Sequence, residues 1–451
     1  MNWIFKRKLL IKSLIIDTLI FLALFLFSNN VFYLDLTYLK FSIIFIEWIV
    51  LSYVFDRYYD YVKYKYLGKL ISIGINFIKT LGISLFFIFT LKILNFLNFE
   101  LGFLHLYNIY FVFYLSIVCS LINYLLSFIY SGIKYQSQIW LFLGSNKTLI
   151  KFKKEINDFN LNIIIKPFPR GYFIDPFNFP YKGVIVEPLE ELNHDVVFSL
   201  ENLKNKGINV VNIENWCSKF LLRYPIDLID ENLLIQNLGI NKSSMQFRIK
   251  RVGDILISLF LAILSIPIVL ICGLVIFLED RGPIFYKQIR TGQYEINFEI
   301  IKLRTMKINA EEGGPQWSKI GDKRITKIGK ILRLTRIDEL PQLISVLKGD
   351  MSLIGPRPER PEIDKELKLN IPNYSLRYII RPGLSGWAQV NFPYGASIND
   401  SIRKFSYDVY YLKHTSIFLD FLICLKTIRM VFNAEGAIPK NNSSLITHIR
   451  K

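Results

Sequence analysis

The sequence predicts a membrane protein of three folded parts. These are an N-terminal four-helix transmembrane bundle, a Rossmann-like α/β middle domain, and a second α/β domain that carries a membrane helix of its own. Three observations lead to this. Four apolar stretches open the chain, each of roughly 20 residues, long enough to cross a hydrocarbon core as helices. Strand, glycine turn, helix and strand then follow one another from about Gln136. A fifth apolar stretch, Val252–Leu278, precedes a region that alternates short strands, helices and Gly/Pro turns.

The composition agrees. Hydrophobic residues make up 52% of the 451, and mean hydropathy is +0.32, too apolar for an ordinary soluble protein. Net charge is +18 and the isoelectric point about 9.5. Nucleic acid is one partner for such a balance. Here the basic residues flank apolar segments, so anionic lipid headgroups and phosphorylated substrates fit better and no nucleic acid is expected. The four cysteines, Cys119, Cys217, Cys272 and Cys424, lie far apart with no CxxC. A disulfide or zinc framework is not indicated, and a reducing compartment is.

The four N-terminal stretches are about Leu9–Phe27, Phe41–Tyr58, Leu70–Leu97 and Leu106–Tyr130. Lys6, Arg7, Lys8 and Lys12 flank the first; Arg57, Lys63, Lys65 and Lys69 lie between the second and third; Lys134 follows the fourth. The other two loops are poor in Lys and Arg, so both ends of the bundle, residues 1–135, are expected in the cytoplasm. Ser28-Asn29-Asn30 offers no small-residue cleavage site, and the first stretch reads as an uncleaved anchor.

Residues 136–246 read as the middle domain. QIWLFLGSN is a buried strand ending at Gly144-Ser145, and a helical run over Lys147–Phe159 follows. LNIIIKPF, KGVIVEP and GINVVNI read as further strands, with a helix near Leu189–Lys206. The phosphate-binding fingerprint is missing: GSNKTL is not GxGxxG, and no acidic residue ends the second strand. A packing or regulatory module is therefore expected, rather than a cofactor site.

Residues 247–432 form the third part. Lys250 and Arg251 introduce its apolar helix, Pro267 should kink it, and Asp254 with the two cations is expected to anchor it at headgroup level. The chain beyond is strongly basic. A straight crossing would place that half outside, against the charge rule, so a re-entrant helix over 252–278 is expected. Ser416–Phe432 has an apolar face and a basic tail; it reads either as an interfacial helix or as an ordinary core helix. Residues 433–451 read as a tail.

The chemistry centres on Asp338-Glu339, adjacent carboxylates in an apolar and basic setting. Arg333 and Arg336 precede them, and Thr335 stands three residues before Asp338, the spacing of an N-cap with an acidic third position. Pro341 fits a first helical turn but not an interior. Carboxylates near a helix start among cations stay ionised, and suit a nucleophile or metal ligand handling phosphate. A capping acid with a solvated neighbour is the plain alternative.

Several blocks occur in order around this pair: Lys250-Arg251 with Asp254, GPIFYKQIRTG at 282–292, IIKLRTM at 300–306, DKRITKIGKILR at 322–333, DELPQL at 338–343, LKGDMSLIGPRPERPE at 347–362, RPGLSGWAQVNFPYGAS at 381–397 and YDVYYLKH at 407–414. This ordered run resembles the bacterial sugar transferases, the monotopic phosphoglycosyl transferases, over roughly residues 247–432. PERPE and NFPYGAS resemble the branch that starts exopolysaccharide, capsule or O-antigen synthesis with glucose or galactose. The resemblance implies transfer of a sugar 1-phosphate from a UDP-sugar to undecaprenyl phosphate, with loss of UMP, at the bacterial inner membrane with the catalytic domain in the cytoplasm. It implies Asp338 as the attacking carboxylate, Glu339 as its partner for metal or acceptor, and Mg2+ held by the two. It also implies the re-entrant helix, although the order Ser265-Ile266-Pro267 departs from the Ser-Pro of many members.

Two anionic substrates need cations, and the motif blocks supply Lys302, Arg304, Arg333, Arg357 and Arg381. Gly355-Pro356-Arg357-Pro358 and Arg381-Pro382-Gly383 read as rigid turns that fix arginines against the ligand. A catalytically inactive assembly factor and a lipid-linked sugar transporter are the competing functions. The intact Asp338, Glu339 and Arg333 oppose the first, and the long basic half opposes the second. Membrane lipids are expected partners, and the additional modules offer surface for a homodimer.

Overall fold

The computed structural model describes residues 14–20, 22–23, 38–54, 79, 82–83, 118, 138–158, 163–168, 181–187, 194–228, 245–310, 322–392, 395 and 397–432. The chain divides into two compact units, Met1–Tyr135 and Gln136–Arg450. In the first, residues 14–20 and 22–23 are helical and α1 spans Tyr38–Val54. The Trp48 indole donates to the buried Asp17 carboxylate at 3.3 Å, satisfying a polar group inside an apolar stretch. Nearly all of the third and fourth apolar stretches, and the tail 433–451, lie outside the described residues.

The second unit begins with a sheet of four parallel strands in the order β2-β1-β3-β4. These are β1 (Gln138–Leu143), β2 (Ile163–Pro167), β3 (Gly183–Val186) and β4 (Asn209–Asn212). Between them run α2 (Asn146–Asp158) and α3 (His194–Asn205), and α4 (Ile213–Phe220) follows, capped by the Asn212 side chain. Buried β1 residues read continuously apolar, as a central parallel strand must.

α5 then runs unbroken from Met245 to Asp280, with Pro267 inside it. Among the described residues it is the helix long and apolar enough to cross a membrane. The Ser265 hydroxyl donates to the Ala262 carbonyl at 2.9 Å, one turn before the proline. Apolar side chains such as Leu256, Phe260, Leu264, Leu270 and Leu278 are exposed along it, a contiguous apolar surface of the kind that marks a membrane or protein contact.

The antiparallel hairpin β5 (Phe285–Thr291) and β6 (Asn297–Leu303) follows. Next come α6 (Lys327–Thr335), a 3₁₀ turn over Ile337–Gln342, α7 (Leu343–Lys348) and β7 (Ser352–Ile354). α8 (Pro361–Asn370), a 3₁₀ turn at Tyr374–Ile379 and β8 (Gly383–Ser385) lead to α9 (Trp387–Asn391), α10 (Ile398–His414) and α11 (Ile417–Phe432). β7 and β8 pair in parallel, Ser352 opposite Gly383 and Ile354 opposite Ser385. The two Arg-Pro turns of the sequence thus lie side by side. A Cβ at Gly355 would run into the Arg381 carbonyl, so this approach requires glycine.

The parallel sheet and the later elements share one apolar core. Trp140, Phe152 and Trp216 belong to the same cluster as Leu343, Val346, Tyr410 and Tyr411. Polar contacts reinforce the join. The Tyr224 amide donates to the Ser406 carbonyl at 3.0 Å, the Trp387 indole to the Leu222 carbonyl at 2.9 Å, and Lys413 pairs with Glu214. His414 Nε2 lies 3.0 Å from both Ser218 Oγ and Tyr224 Oη. Burial, with Lys413 adding to it, pushes His414 down to about 4, so this ring is neutral.

α11 has one side in the core and the other exposed. Leu419, Ile423 and Met430 are buried, while Ile417, Phe418, Phe421, Ile428 and Phe432 are exposed on its other side.

Candidate active site

Asp338 and Glu339 stand in the first turn of the 3₁₀ segment, which packs on β6. The local chain explains their placement. α6 is capped at its start by the Thr326 hydroxyl, which accepts from the Gly329 amide at 2.9 Å. Arg336 ends it in the left-handed conformation, φ 59°. Thr335 is therefore not an N-cap. It is the last residue of α6, and its hydroxyl donates back to the carbonyls of Ile331 and Leu332. Pro341 lies inside the short 3₁₀ turn, and α7 begins two residues later.

The two carboxylates are buried but differently satisfied. The Arg357 guanidinium donates to Glu339 Oε1 at 2.6 Å, and Arg336 donates to Oε2 at 3.3 Å. Burial works upward on Glu339, but Arg357 and Arg336 outweigh it and hold the group down at about 2. Asp338 has Oδ1 buried with no hydrogen-bond partner. Burial and the neighbouring Glu339 push Asp338 up to about 6, against the pull of Lys302, Arg333 and Arg336.

Lys302 reaches this pair from β6. It sits opposite Tyr286 in the hairpin, its ammonium 5.2 Å from the centre of that ring. Burial, then Arg290, lowers it to about 8. Arg333 comes from the last turn of α6 and donates to Thr305 Oγ1 at 2.9 Å. Arg357 keeps 42% of its side chain exposed while binding Glu339 through Nη2. Lys302, Arg333 and Arg357 thus surround the pair.

Two expected phosphate binders lie elsewhere. Arg304 is committed to the end of α5: it forks onto Asp280, 2.6 Å to one oxygen, and its Nε donates to the Pro283 carbonyl. That pairing also holds Asp280 below the ordinary carboxylate range. Three of its five N–H groups are spent on this clasp at the end of α5. Arg381 lines a cavity of about 530 Å³ at the foot of α5, with Arg248, Arg251 and Tyr294 among its walls and neither Asp338 nor Glu339.

The membrane-anchoring residues also turn out differently. Lys250 pairs with Asp420 at 2.7 Å and donates to the Ile354 carbonyl. Arg251 donates to the carbonyls of Val346 and Leu347, at the C-terminal end of α7. Asp254 accepts from the Ser352 hydroxyl at 2.7 Å and from the Leu353 amide at 3.2 Å. Their polar ends turn onto the protein rather than out to headgroups, because β7 and α7 offer buried partners within reach. They fasten α5 to the unit that carries Asp338. Pro267 remains within the exposed apolar span of that helix.

The sequence reading missed Tyr286, Gln288 and Arg290. They alternate along β5 on the face toward the site, while Phe285, Lys287 and Ile289 face outward. Their period of two in KQIR was the available signal. Arg377 and Asp408, a buried pair at 3.2 Å, were also missed.

The bacterial sugar transferase family model matches residues 245–434. A UDP-N-acetylgalactosamine-undecaprenyl-phosphate N-acetylgalactosaminephosphotransferase of Aeromonas hydrophila is 43% identical over 51% of this chain and 54% of its own. A UDP-glucose:undecaprenyl-phosphate glucose-1-phosphate transferase of Caulobacter vibrioides is 40% identical over 42% of this chain and 71% of its own. An uncharacterized sugar transferase of Bacillus subtilis is 37% identical over 43% of this chain and 92% of its own. The chain spans about half the length of the first of these relatives. The family model, with the Caulobacter and Bacillus relatives that the chain covers over most of their length, places the chain in the bacterial sugar transferase family.

Proposed function

We propose that this chain transfers a sugar 1-phosphate from a UDP-sugar to undecaprenyl phosphate, with release of UMP. The observation that carries the reading is the split pair. Glu339 is clamped by two arginines, while Asp338 keeps a buried oxygen with nothing bonded to it. A buried acceptor left open costs stability and is retained where a ligand completes it. In the first step an Asp338 oxygen attacks the β-phosphorus, and the bond to the α-phosphate oxygen breaks as UMP leaves. In the second, an oxygen of the lipid phosphate attacks the same phosphorus, and the bond to Asp338 breaks, returning the carboxylate. Lys302, Arg333 and Arg357 offset the charge of the pentavalent arrangement.

Mg2+ fits this donor set. It prefers carboxylate oxygen and keeps other positions for phosphate and water. Asp338 would hold it through the unpartnered oxygen; Glu339, whose two oxygens bind Arg357 and Arg336, would join only by giving up one of them, and the bound ion would neutralise phosphate charge.

The re-entrant reading of α5 is supported by where its ends are tied. Asp254 bonds to β7 near one end, while at the other Asp280 bonds to Arg304 and Glu279 accepts from the Lys327 amide. Both ends therefore hold the same unit, as those of a helix that dips into the bilayer and returns would. The N-terminal stretches we assign to membrane spanning at the bacterial inner membrane, with the catalytic unit on the cytoplasmic side. The parallel sheet we read as a Rossmann-like packing or regulatory module. The sugar and the pathway, exopolysaccharide, capsule or O-antigen, are left to substrate trials. Purified full chain, polyprenyl phosphate and a panel of UDP-sugars test the function: UMP release with at least one sugar is expected, and none with any would overturn it.

A further inference from the structure

The loop 356–359 joins β7 to α8 and carries Arg357. It has no regular structure of its own, yet each of its four successive carbonyls accepts a hydrogen bond. Pro356 accepts from the Gly383 amide at 2.8 Å, and Glu359 from the Thr291 amide at 2.9 Å. Between them, Arg357 accepts from Arg377 Nη2 at 2.6 Å and Pro358 from Arg290 Nη1 at 3.1 Å. The outer two bonds are backbone. The inner two come from arginines whose other ends are anchored elsewhere.

Those anchors are rigid. Arg377 is only 5% exposed; it pairs with the equally buried Asp408 of α10 at 3.2 Å and donates to Tyr374. Arg290 donates through Nη2 to Gln288 Oε1 at 2.6 Å and lies 3.9 Å from Glu359. Gln288 in turn donates to Tyr286 Oη at 3.1 Å, on the same face of β5. Burying two guanidinium groups is costly, and each leaves its Nε without a partner. Binding a loop carbonyl explains why the charge is there: the fork reaches two acceptors at a fixed angle, which an ammonium cannot do.

We propose that Arg290 and Arg377 are positioning residues for the phosphosugar transfer. They fix the carbonyls of Pro358 and Arg357, so that the Arg357 fork meets Glu339 on one side and substrate phosphate on the other. Neither arginine touches the reacting atoms; each acts through Arg357. The proposal rests on the transferase reading for its effect on rate, but the loop grip itself does not.

The test is a double-mutant cycle on the full chain in detergent, with UMP release as readout. Arg290→Lys and Arg377→Lys keep the charge and lose the fork. Each should lower kcat about tenfold or more with KM little changed, and should cost less than about twofold once Arg357→Lys is already present. Equal losses in both backgrounds, or no loss in the wild-type background, would overturn the proposal and leave the arginines as core supports. Hydrogen exchange of the Thr291 and Gly383 amides reads the same loop without substrate. Both should exchange faster in either variant, with the α7 amides unchanged. Unchanged Thr291 and Gly383 exchange would overturn the proposal whether or not the chain transfers a sugar, so its failure is distinct from failure of the reaction. Arg290→Lys, on the hairpin face, decides the matter alone should Arg377→Lys not fold.

Discussion

Two carboxylates in the same unit sit at chain turns and have opposite fates. Glu187, at the end of β3, accepts from the Ser145 amide at 2.6 Å and from the Thr148 hydroxyl at 2.6 Å. Both its oxygens are used, and it fills the start of α2, where a dinucleotide phosphate would sit in a nucleotide-binding relative of this topology. Gly144 is required there because any Cβ would collide with Glu187. Asp338 sits deeper and keeps Oδ1 without a partner. An anion-binding turn closed by the protein's own acid is structural. A buried acid left open among cations marks chemistry.

Substitutions can break this contrast. The largest effect is expected from Asp338→Asn, which is nearly isosteric: UMP release should fall by about a thousandfold or more while the thermal midpoint barely moves. Activity within a few-fold of wild type would remove the nucleophile assignment. Next, Glu339→Gln and Arg357→Lys should each lower kcat by about ten- to a hundredfold, since one unclamps the pair and the other loses the two-pronged contact. Wild-type rates in both would mean that the clamp is incidental.

The pH profile sharpens the same contrast. Asp338 must be ionised to attack, so kcat/KM should rise as pH passes about 6. Lys302 must be protonated to meet phosphate, so it should fall above about 8. Lys302→Arg should move the alkaline limb upward and leave the acid limb in place; a fixed alkaline limb would exclude Lys302 as its source. The smallest effect is expected at the closed turn. Glu187→Gln should cost about 1–2 kcal/mol of stability, from weaker bonds to a neutral group, with UMP release unchanged within about twofold. A large loss of transfer would make the α/β module part of the active site.

What the sequence could reveal follows chain distance. Asp338, Glu339, Arg333 and Arg336 lie within one short run, and their convergence was readable there. Arg357 was readable as a motif arginine, though not its partner. Arg304 looked the same from sequence, but its partner Asp280 lies 24 residues away across a hairpin that only folding closes. Lys250, Arg251 and Asp254 resembled headgroup anchors because their true partners, Asp420, Val346 and Ser352, are supplied by tertiary packing. Thr335 had the spacing of a cap, but the real cap at Thr326 had already started the helix, and Arg336 closed it. The strands of the parallel sheet were legible from their apolar runs. The role of Glu187 was not, since its carboxylate meets the Ser145 turn from 42 residues away.

The most direct measurement is to trap the intermediate. The full chain is mixed with a UDP-sugar labelled in the β-phosphate, without lipid acceptor, then quenched and digested. Label should appear on the peptide that contains Asp338, be lost on adding polyprenyl phosphate, and be absent from Asp338→Asn. A wild-type chain that releases UMP only when acceptor is present, and never carries label, would contradict the covalent role of Asp338.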